Sequence, residues 1–247
     1  MKAMIFAAGL GTRLKPLTDT MPKALVPLAD KPLLQWQVEK LHDAGITDII
    51  VNVHHFPDQI IDTIRANQGW GCNITISDER DMLLDTGGGL KKAVTDYGLR
   101  VTGEPILACN VDILSNIDLD AFLNSYDPST LGSLVVSDRQ TQRYLCFDAQ
   151  NTLCGWTNIK TGELKGKDGR HLAFSGMQIL SPEAQTLLRQ MPRDKFSLID
   201  FYLHVIQSPI TNHQLPILKA YIPSDYQMMD VGKIDQIEEA ERFAESL

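Results

Sequence analysis

Apolar runs alternate with amphipathic segments along the first half of the chain, a pattern typical of an α/β protein. The predicted strands are short apolar runs, and the predicted helices repeat apolar residues every three or four positions. Because strands and helices alternate, we expect a parallel sheet with right-handed crossovers. The strands are predicted at Lys2–Ala8, Ile49–Val53, Cys72–Ser77 and Pro105–Val111, and the helices begin at Pro32, Pro57 and Thr86.

The second half of the chain is less regular. Several strand-like segments follow one another there, and Ile234–Phe243 has the pattern of a charged amphipathic helix. No Pro-, Gly- or Ser-rich linker and no internal repeat divides the chain, so we expect one α/β domain with a mixed-sheet insertion. The strands are predicted at Leu131–Val136, Tyr144–Phe147, Leu172–Leu180 and Pro216–Ile222, with helices at Pro182–Gln190 and Leu198–Ile206.

Charge is distributed unevenly over the 247 residues. The chain has 23 basic and 31 acidic residues and a net charge of −8, which argues against a nucleic-acid partner bound through bulk positive charge. Residues 1–31 nevertheless carry five basic residues against two acidic ones, whereas residues 225–247 carry seven acidic against two basic. The first segment could therefore form a local site for a small polyanion, although solvated faces would explain the asymmetry equally well.

The cysteines and the amino terminus indicate the compartment. Cys72, Cys109, Cys146 and Cys154 form no CxxC pair, and no histidine stands at zinc-ligand spacing beside them. We therefore expect free thiols in a reducing cytosol. The apolar stretch at the start of the chain ends at Leu10, which is too short for a signal peptide or a membrane span. A cytoplasmic protein without a membrane partner is expected.

A glycine-containing loop follows the first predicted strand. Gly9 and Gly11 permit close backbone approach, so N–H groups could converge there on phosphate oxygens. The loop is not a dinucleotide fingerprint, because Leu14 stands where the third glycine is needed, and it lacks the Gly-Lys-Ser/Thr ending of a Walker A loop. Arg13 offers a fixed positive charge for phosphate. A plain glycine turn with a surface arginine is the alternative.

A lysine stands nearby in a stiffened segment. Pro22 and Pro27 bracket Lys23 and the apolar run that follows it, which restricts the backbone around the lysine. Surface lysines usually serve only solubility. A lysine held in this way close to a glycine loop is a better candidate for an ordered phosphate contact.

The run from Ala7 to Pro32, AAGLGTRLKPLT…PKALVPL…KPL, resembles the signature of the sugar-1-phosphate nucleotidyltransferases. Members of this family make nucleotide sugars and pyrophosphate from a nucleoside triphosphate and a sugar 1-phosphate. The resemblance implies catalytic roles for Arg13, at the triphosphate, and Lys23, at the reacting phosphates. It implies that the first loop wraps the nucleotide through Ala7, Ala8, Gly9, Gly11 and Thr12.

Further segments extend the resemblance along nearly the whole chain. Asp85–Leu90 resembles the family's segment against the nucleobase and sugar, which implicates Gly87 and Gly88, with N–H groups free at a helix start. A helix start packed closely on the sheet is the alternative there. Three other segments imply metal ligands at Asp112 and Asp230 and sugar-phosphate contacts at Asn110 and Gly176.

The chain departs from the family pattern at two places. Val111 stands where the family commonly has glycine between the asparagine and the metal-binding aspartate. The frequent Glu-Lys-Pro segment of the sugar-phosphate region is also missing, and in the corresponding stretch Asn158 could orient sugar hydroxyls while Lys160 could supply the missing charge.

The reaction implied by the resemblance is attack of a sugar phosphate oxygen on the α-phosphorus of a nucleoside triphosphate. A phosphate monoester is already mostly deprotonated at neutral pH, so no protein general base is required. The site must align two anions and neutralise charge, and Mg²⁺ on carboxylates is the implied cofactor. The implied fold is a Rossmann-like, GT-A-like three-layer αβα domain with a mixed central sheet. We expect a nucleotide-binding half at about 1–115, a sugar-binding half at about 116–232 and a C-terminal helix at about 233–247.

Several functions remain open at this point. Transfer from UTP to N-acetylmuramate 1-phosphate ranks slightly ahead of GTP-dependent mannose- or heptose-1-phosphate guanylyl transfer, and cytidylyl transfer to phosphocholine is a weaker third. A non-catalytic nucleotide-sugar sensor would not need both Asp112 and Asp230. A nicotinamide-dependent dehydrogenase is disfavoured because the loop lacks the third glycine of the dinucleotide-binding fingerprint. The oligomeric state is left undetermined.

Overall fold

The computed structural model describes residues 1–97, 103–207 and 218–247. Its helices are α1 (Leu33–Asp43), α2 (Pro57–Ala66), α3 (Asp85–Asp96), α4 (Leu119–Ser125), α5 (Pro182–Arg189), α6 (Leu198–Gln207) and α7 (Ile237–Ala244). Its strands are β1 (Lys2–Phe6), β2 (Pro27–Leu28), β3 (Lys31–Pro32), β4 (Asp48–Val53), β5 (Asn73–Asp78), β6 (Ile106–Asn110), β7 (Ile113–Ser115), β8 (Gly132–Ser137), β9 (Arg143–Phe147), β10 (Leu153–Asn158), β11 (Glu163–Gly166), β12 (Arg170–Leu180), β13 (Leu218–Tyr221) and β14 (Met228–Asp230).

The central sheet combines parallel and antiparallel strands. Strands β5, β4, β1 and β6 lie side by side and parallel, as the alternating pattern predicts. Strand β12 then pairs antiparallel with β6 through Met177–Leu180 and with β9 through Arg170–Leu172. Its pairing with β8 shifts register between Phe174 and Gln178, as at a β-bulge. The expected mixed central sheet is confirmed.

Alternate residues of the central strands enter two separate apolar cores. In β1, Ala3 and Ile5 belong to one core and Met4 to the other, as the two-residue period of a strand requires. Helices α1, α2 and α7 contribute buried residues to the first core, and α3, α5 and α6 to the second. Helices therefore cover both faces of the sheet, and the predicted three-layer αβα fold is confirmed.

The sequence pattern misses several elements, most of which are short or exposed. These are β2, β3, β7, β10, β11, β14 and α4. Every residue of β11 is exposed, so this strand has no apolar pattern to detect. The predicted strand Pro216–Ile222 corresponds to β13, and residues 216–217 lie outside the described residues.

The C-terminal segment begins with a 3₁₀ turn at Ile234–Gln236 and continues as α7. One face of α7 packs into the first core through Ala240 and Ala244, while its glutamates are exposed or half-buried. None of the helices within the described ranges is long and apolar enough to cross a membrane.

Candidate active site

A cleft opens where β1 and β6 end. Parallel strands of an open α/β sheet bind ligands at their carboxyl ends, and the loops after these two strands line the cleft. Its first cavity has a volume of about 420 Å³. The lining residues are Phe6, Ala7, Gly9, Leu10, Gly11, Thr12, Arg13, Lys23, Thr86, Asn110, Val111, Asp112 and Gly232. The structure thus brings together residues from motifs far apart in the sequence.

The two glycines of the first loop have different surroundings. Gly11 has a φ of 63°, and an added Cβ would lie 2.7 Å from Cγ2 of Thr18. Thr18 also donates its hydroxyl hydrogen to the Gly11 carbonyl at 2.8 Å, and this hydrogen bond stabilises the loop. A Cβ added at Gly9 would meet nothing within 4 Å. Gly11 is therefore required by packing, whereas Gly9 leaves space open in the cleft.

A buried polar network anchors the start of this loop. Asn52 accepts a hydrogen bond from the Ala7 N–H and donates one to Glu79, both at 2.7 Å. The second carboxylate oxygen of Glu79 accepts from the Leu84 N–H at 3.1 Å. Burial raises the pKa of Glu79, which is 3% exposed, although these hydrogen bonds oppose the shift. The sequence analysis missed Asn52 and Glu79, whose only signal is a polar side chain at or just after the end of a strand.

A second cavity of about 410 Å³ adjoins the first. The two share Phe6, Gly9 and Thr86, so together they form one elongated cleft. The remaining lining residues of the second cavity are Ala8, Asn52, Glu79, Leu83, Asp85 and Lys195.

The two aspartates predicted as metal ligands lie on neighbouring chain segments. Asp230 pairs with Ile113 in the antiparallel β7–β14 ladder, and Val231 donates its N–H to the Asp112 carbonyl at 2.8 Å. Partial desolvation and the charge of Asp112 raise the pKa of Asp230, although 47% of its side chain is exposed. Lys23 and Arg13 oppose this shift. The Asp112 carboxylate lines the cleft, and Asp230, which lines neither cavity, lies at its edge beside Arg13 and Gly232.

The two cations predicted as catalytic face these carboxylates. Lys23 forms a salt bridge with Asp112 and is 8% exposed, so its ammonium group is held inside the cleft. Arg13 lies 3.9 Å from Asp230, measured from Nη2 to Oδ2, and its side chain is 59% exposed. A Cβ at Gly232 would lie 2.6 Å from the Asp230 carboxylate and 2.8 Å from the Arg13 guanidinium. Gly232 thus leaves room for Arg13 and Asp230 to approach each other, and a larger residue would displace at least one of these two side chains.

Gly87 and Gly88 do not offer the free N–H groups expected of them. Both donate to the carbonyl oxygen of Phe196, at 2.9 and 3.0 Å. A Cβ at Gly88 would lie 2.0 Å from the carbonyl oxygen of Asp194, so the helix start packs against this segment. The expectation of free donors is wrong because that segment, more than a hundred residues later in the sequence, uses them. Thr86, one residue earlier, lines the cleft.

The structure places the predicted sugar-phosphate residues in two locations. Gly176 has a φ of 72°, and an added Cβ would lie 2.9 Å from Nδ2 of Asn110, which lines the cleft. Asn158 lines neither cavity. Its side chain accepts from the Lys160 N–H at 3.1 Å and its carbonyl from the Gly162 N–H at 2.9 Å, so it stabilises the β10–β11 turn. Val111 is buried and donates its N–H to the Phe6 carbonyl at 3.2 Å.

Comparisons with known proteins agree with this architecture. The family model "Nucleotidyl transferase" matches residues 2–144. The N-acetylmuramate alpha-1-phosphate uridylyltransferase of Caulobacter vibrioides is 32% identical over 210 residues, 81% of this chain and 82% of the relative. The enzyme of the same name from Neisseria meningitidis is 43% identical over 121 residues, 49% of this chain and about half (51%) of the relative.

Two further comparisons concern guanine nucleotides. A mannose-1-phosphate guanyltransferase of Candida glabrata is 38% identical over 115 residues, 46% of this chain and 31% of the relative. The crystal structure of HddC from Yersinia pseudotuberculosis complexed with GMP-PN is 23% identical, with a TM-score of 0.73 over 98% of this chain and 99% of that chain. The chain therefore belongs to the nucleotidyl transferase family. It is an enzyme of the sugar-1-phosphate nucleotidyltransferase type.

Proposed function

We propose that this protein transfers the uridylyl group of UTP to N-acetylmuramate 1-phosphate and releases pyrophosphate. One observation supports this chemistry above others: Lys23, Arg13 and Asp112 line one cleft beside the glycine loop, and Asp230 adjoins it next to Arg13. The choice of substrates is supported by the names of two relatives, one of which aligns with 81% of the chain.

The proposed reaction requires alignment and charge neutralisation rather than a protein base. The phosphate oxygen of N-acetylmuramate 1-phosphate attacks the α-phosphorus of UTP, and the bond to the β-phosphate oxygen breaks. Because a phosphate monoester has a second pKa of about 6, the nucleophile carries no proton that a side chain must remove. Lys23 would neutralise charge at the α-phosphate, and Arg13 would stabilise the departing pyrophosphate.

Magnesium is the proposed cofactor, and the residues present fit it. Asp112 and Asp230 supply carboxylate oxygens, the donors that Mg²⁺ prefers, and burial together with the charge of Asp112 raises the pKa of Asp230, which a bound cation would oppose. Asp112 and Asp230 would hold the ion at the cleft. When bound, Mg²⁺ supplies Lewis-acid polarisation of phosphate oxygens.

The remaining assignments follow the position of each residue. We propose that the loop of Ala7, Ala8, Gly9, Gly11 and Thr12 binds the nucleotide, and that residues of about 1–115 form the nucleotide half. Asn110, with Gly176 packed against it, would border the sugar phosphate, in a half of about 116–232. The four cysteines are free thiols, which supports a cytoplasmic location.

Guanylyl transfer to mannose or heptose 1-phosphate is the second candidate. The Candida glabrata relative supports it by name, at 38% identity over about half of the chain. The two candidates differ in the base, and the second cavity, with Asn52, Glu79 and Asp85, offers polar groups to either base.

A pyrophosphate-release screen separates these functions. UTP, GTP, CTP and dTTP are each incubated with Mg²⁺ and a panel containing N-acetylmuramate, mannose, heptose and glucose 1-phosphates. We expect the highest kcat/KM with UTP and N-acetylmuramate 1-phosphate. Preference for GTP with mannose or heptose 1-phosphate would replace the proposal by the second candidate. Tight nucleotide-sugar binding without turnover on any pair would indicate the sensor.

A further inference from the structure

A cluster of metal-ligating side chains lies outside the cleft. Cys146 of β9 and His171 of β12 are direct partners in the antiparallel ladder. Directly opposed residues project from the same face of a sheet with Cβ atoms about 4.5–5.5 Å apart. Asp168 precedes His171 by three residues, in the connection between β11 and β12. None of the three residues lines either cavity of the cleft.

The ligand atoms of this cluster are closely spaced. One ligand atom of each residue lies within 4.8 Å of the other two. His171 Nε2 is 2.7 Å from Asp168 Oδ1, and Cys146 Sγ is 3.9 Å from the same oxygen. Tetrahedral zinc, with bonds of about 2.0–2.3 Å, places its ligand atoms about 3.3–3.8 Å apart. Shifts of about 1 Å, mainly in two exposed side chains, would produce this arrangement.

Neighbouring groups orient the three side chains. The Gly169 N–H donates to Asp168 Oδ1 at 2.9 Å. The ring of Tyr144 stacks on His171, with centroids 5.7 Å apart and an angle of 20° between the planes. A Cβ at Gly169 would lie 2.3 Å from the Phe147 carbonyl oxygen, so the connection runs tightly against β9. Such supporting contacts are typical of metal sites, where they fix the orientation of the ligands.

We propose that Cys146, Asp168 and His171 form a binding site for a zinc-like divalent cation, distinct from the magnesium site of the cleft. Sulfur, imidazole nitrogen and carboxylate oxygen together suit Zn²⁺ or Co²⁺ rather than Mg²⁺, which prefers oxygen alone. Three protein ligands leave one tetrahedral position for water. The bound ion would join β9, the start of β12 and the connection before it.

A reactive cysteine is the competing interpretation of the cluster, and its chemistry disfavours it. Cys146 is 0% exposed and contacts the carboxylate of Asp168, whereas nucleophilic or redox-active cysteines stand in partially exposed, electropositive surroundings. Cys154 stands on the adjacent strand β10, with its thiol 3.3 Å from the Cys146 carbonyl oxygen. We assign it no ligand role, since its sulfur is not among the three mutually close ligand atoms.

Cobalt titration of the full chain tests the proposal. Protein freed of metal by a chelator and kept reduced is titrated with Co²⁺ and then Zn²⁺. We expect one Co²⁺ per chain with a thiolate-to-cobalt charge-transfer band that Zn²⁺ abolishes. Cys146→Ser should lose the band. Asp168→Asn and His171→Asn, both at exposed positions, should weaken Co²⁺ affinity at least about tenfold without disturbing the core.

Matched variants make the outcome specific. Cys72→Ser removes a free thiol outside the cluster and should keep the band, as should the Asp112→Asn/Asp230→Asn double variant, which removes the carboxylates of the cleft. Zn²⁺ should raise the Tm of the wild type but not of His171→Asn. The absence of the band in the wild type would overturn the proposal. Unchanged affinity in both Asp168→Asn and His171→Asn, or loss of the band in Cys154→Ser, would also overturn it.

Discussion

The ammonium group of Lys23 forms a salt bridge with the carboxylate of Asp112, which lies 89 residues further along the chain. The pair joins the proline-bracketed segment to the end of β6. In the proposed reaction this bridge would hold the lysine near the reacting phosphates and would lower the entropy cost of ordering its side chain on substrate binding.

Replacing Lys23 by methionine should reduce kcat strongly. Loss of one electrostatic donor at a reacting centre costs about 10²–10³-fold in rate, and the apolar stem of the side chain is kept. Steady-state kinetics at saturating substrates measure the effect, after a thermal melt has established that the variant is folded. Lys15→Met is the matched control, because Lys15 is exposed and pairs with Asp19, four residues away. Similar losses in both variants would remove Lys23 from the site.

Asp230→Asn should raise the stability of the fold and lower its activity. The pKa of Asp230 is raised in the fold, so the protonated carboxyl stabilises the fold and this contribution is lost as pH rises through the raised pKa. Without a bound cation, the amide should therefore raise the free energy of unfolding at pH 7, by less than about 1 kcal/mol because water screens the group. This increase in the free energy of unfolding should vanish at a pH below the ordinary carboxyl range, because Asp230 is then uncharged in both the folded and the unfolded state.

The measurement for Asp230→Asn is urea unfolding in a chelator at both pH values, together with turnover in Mg²⁺. Turnover should fall sharply although stability rises. A variant that is less stable than the wild type at pH 7 would contradict the raised pKa of Asp230, which burial and the charge of Asp112 cause.

Two glycine substitutions should have different effects: one should lower nucleotide affinity and the other should lower stability. Gly9→Ala introduces a methyl group into open space, so Tm should stay within a degree or two while nucleotide affinity falls. Gly88→Ala introduces a methyl group 2.0 Å from the Asp194 carbonyl oxygen, and should destabilise the fold by about 1–3 kcal/mol. Thermal melts and nucleotide titrations distinguish the two. Equal affinity in Gly9→Ala and the wild type would exclude the nucleotide from this part of the loop.

Asn52→Ala should remove the hydrogen bond that anchors the start of the glycine loop. It leaves the Ala7 N–H without its acceptor and removes a hydrogen-bond donor from Glu79, at a cost of about 1–3 kcal/mol. Chemical denaturation measures this cost, and KM for the nucleotide should rise. Asn67→Ala is the control, since it removes one exposed hydrogen bond at the end of α2. An unchanged KM would mean that the loop keeps its shape without Asn52.

The sequence predicted the parallel half of the sheet better than the antiparallel half. Strands β1, β4 and β6 are buried on both faces and have continuous apolar runs, which a single sequence reveals. Strand β11 is exposed throughout, and β7 and β14 have only three residues each. Their positions depend on pairing with strands distant in the sequence, which local patterns do not encode.

In the candidate site, too, the sequence did not predict the contacts between residues that are distant along the chain. Arg13 and Lys23 stand in one recognisable run, but Asp112 and Asp230 come together only through pairing of β7 with β14. The sequence predicts free N–H groups at Gly87 and Gly88 because their shared acceptor, the Phe196 carbonyl oxygen, is remote in the chain. Asn52 and Cys146 are unremarkable in the sequence, since the partners that give each a role lie 22 to 45 residues away.

The two ends of the long strand β12 should differ in how readily they unfold locally. Its last residues, Met177–Leu180, lie between β6 and β8 in the central sheet, whereas its first, Arg170–Leu172, pair with β9 beyond the register shift. A register shift interrupts the ladder, so the two ends can belong to different cooperative unfolding units. We therefore expect slow amide hydrogen exchange in the inner end and faster exchange in the outer end, with a Zn²⁺ ion slowing exchange only in the outer one.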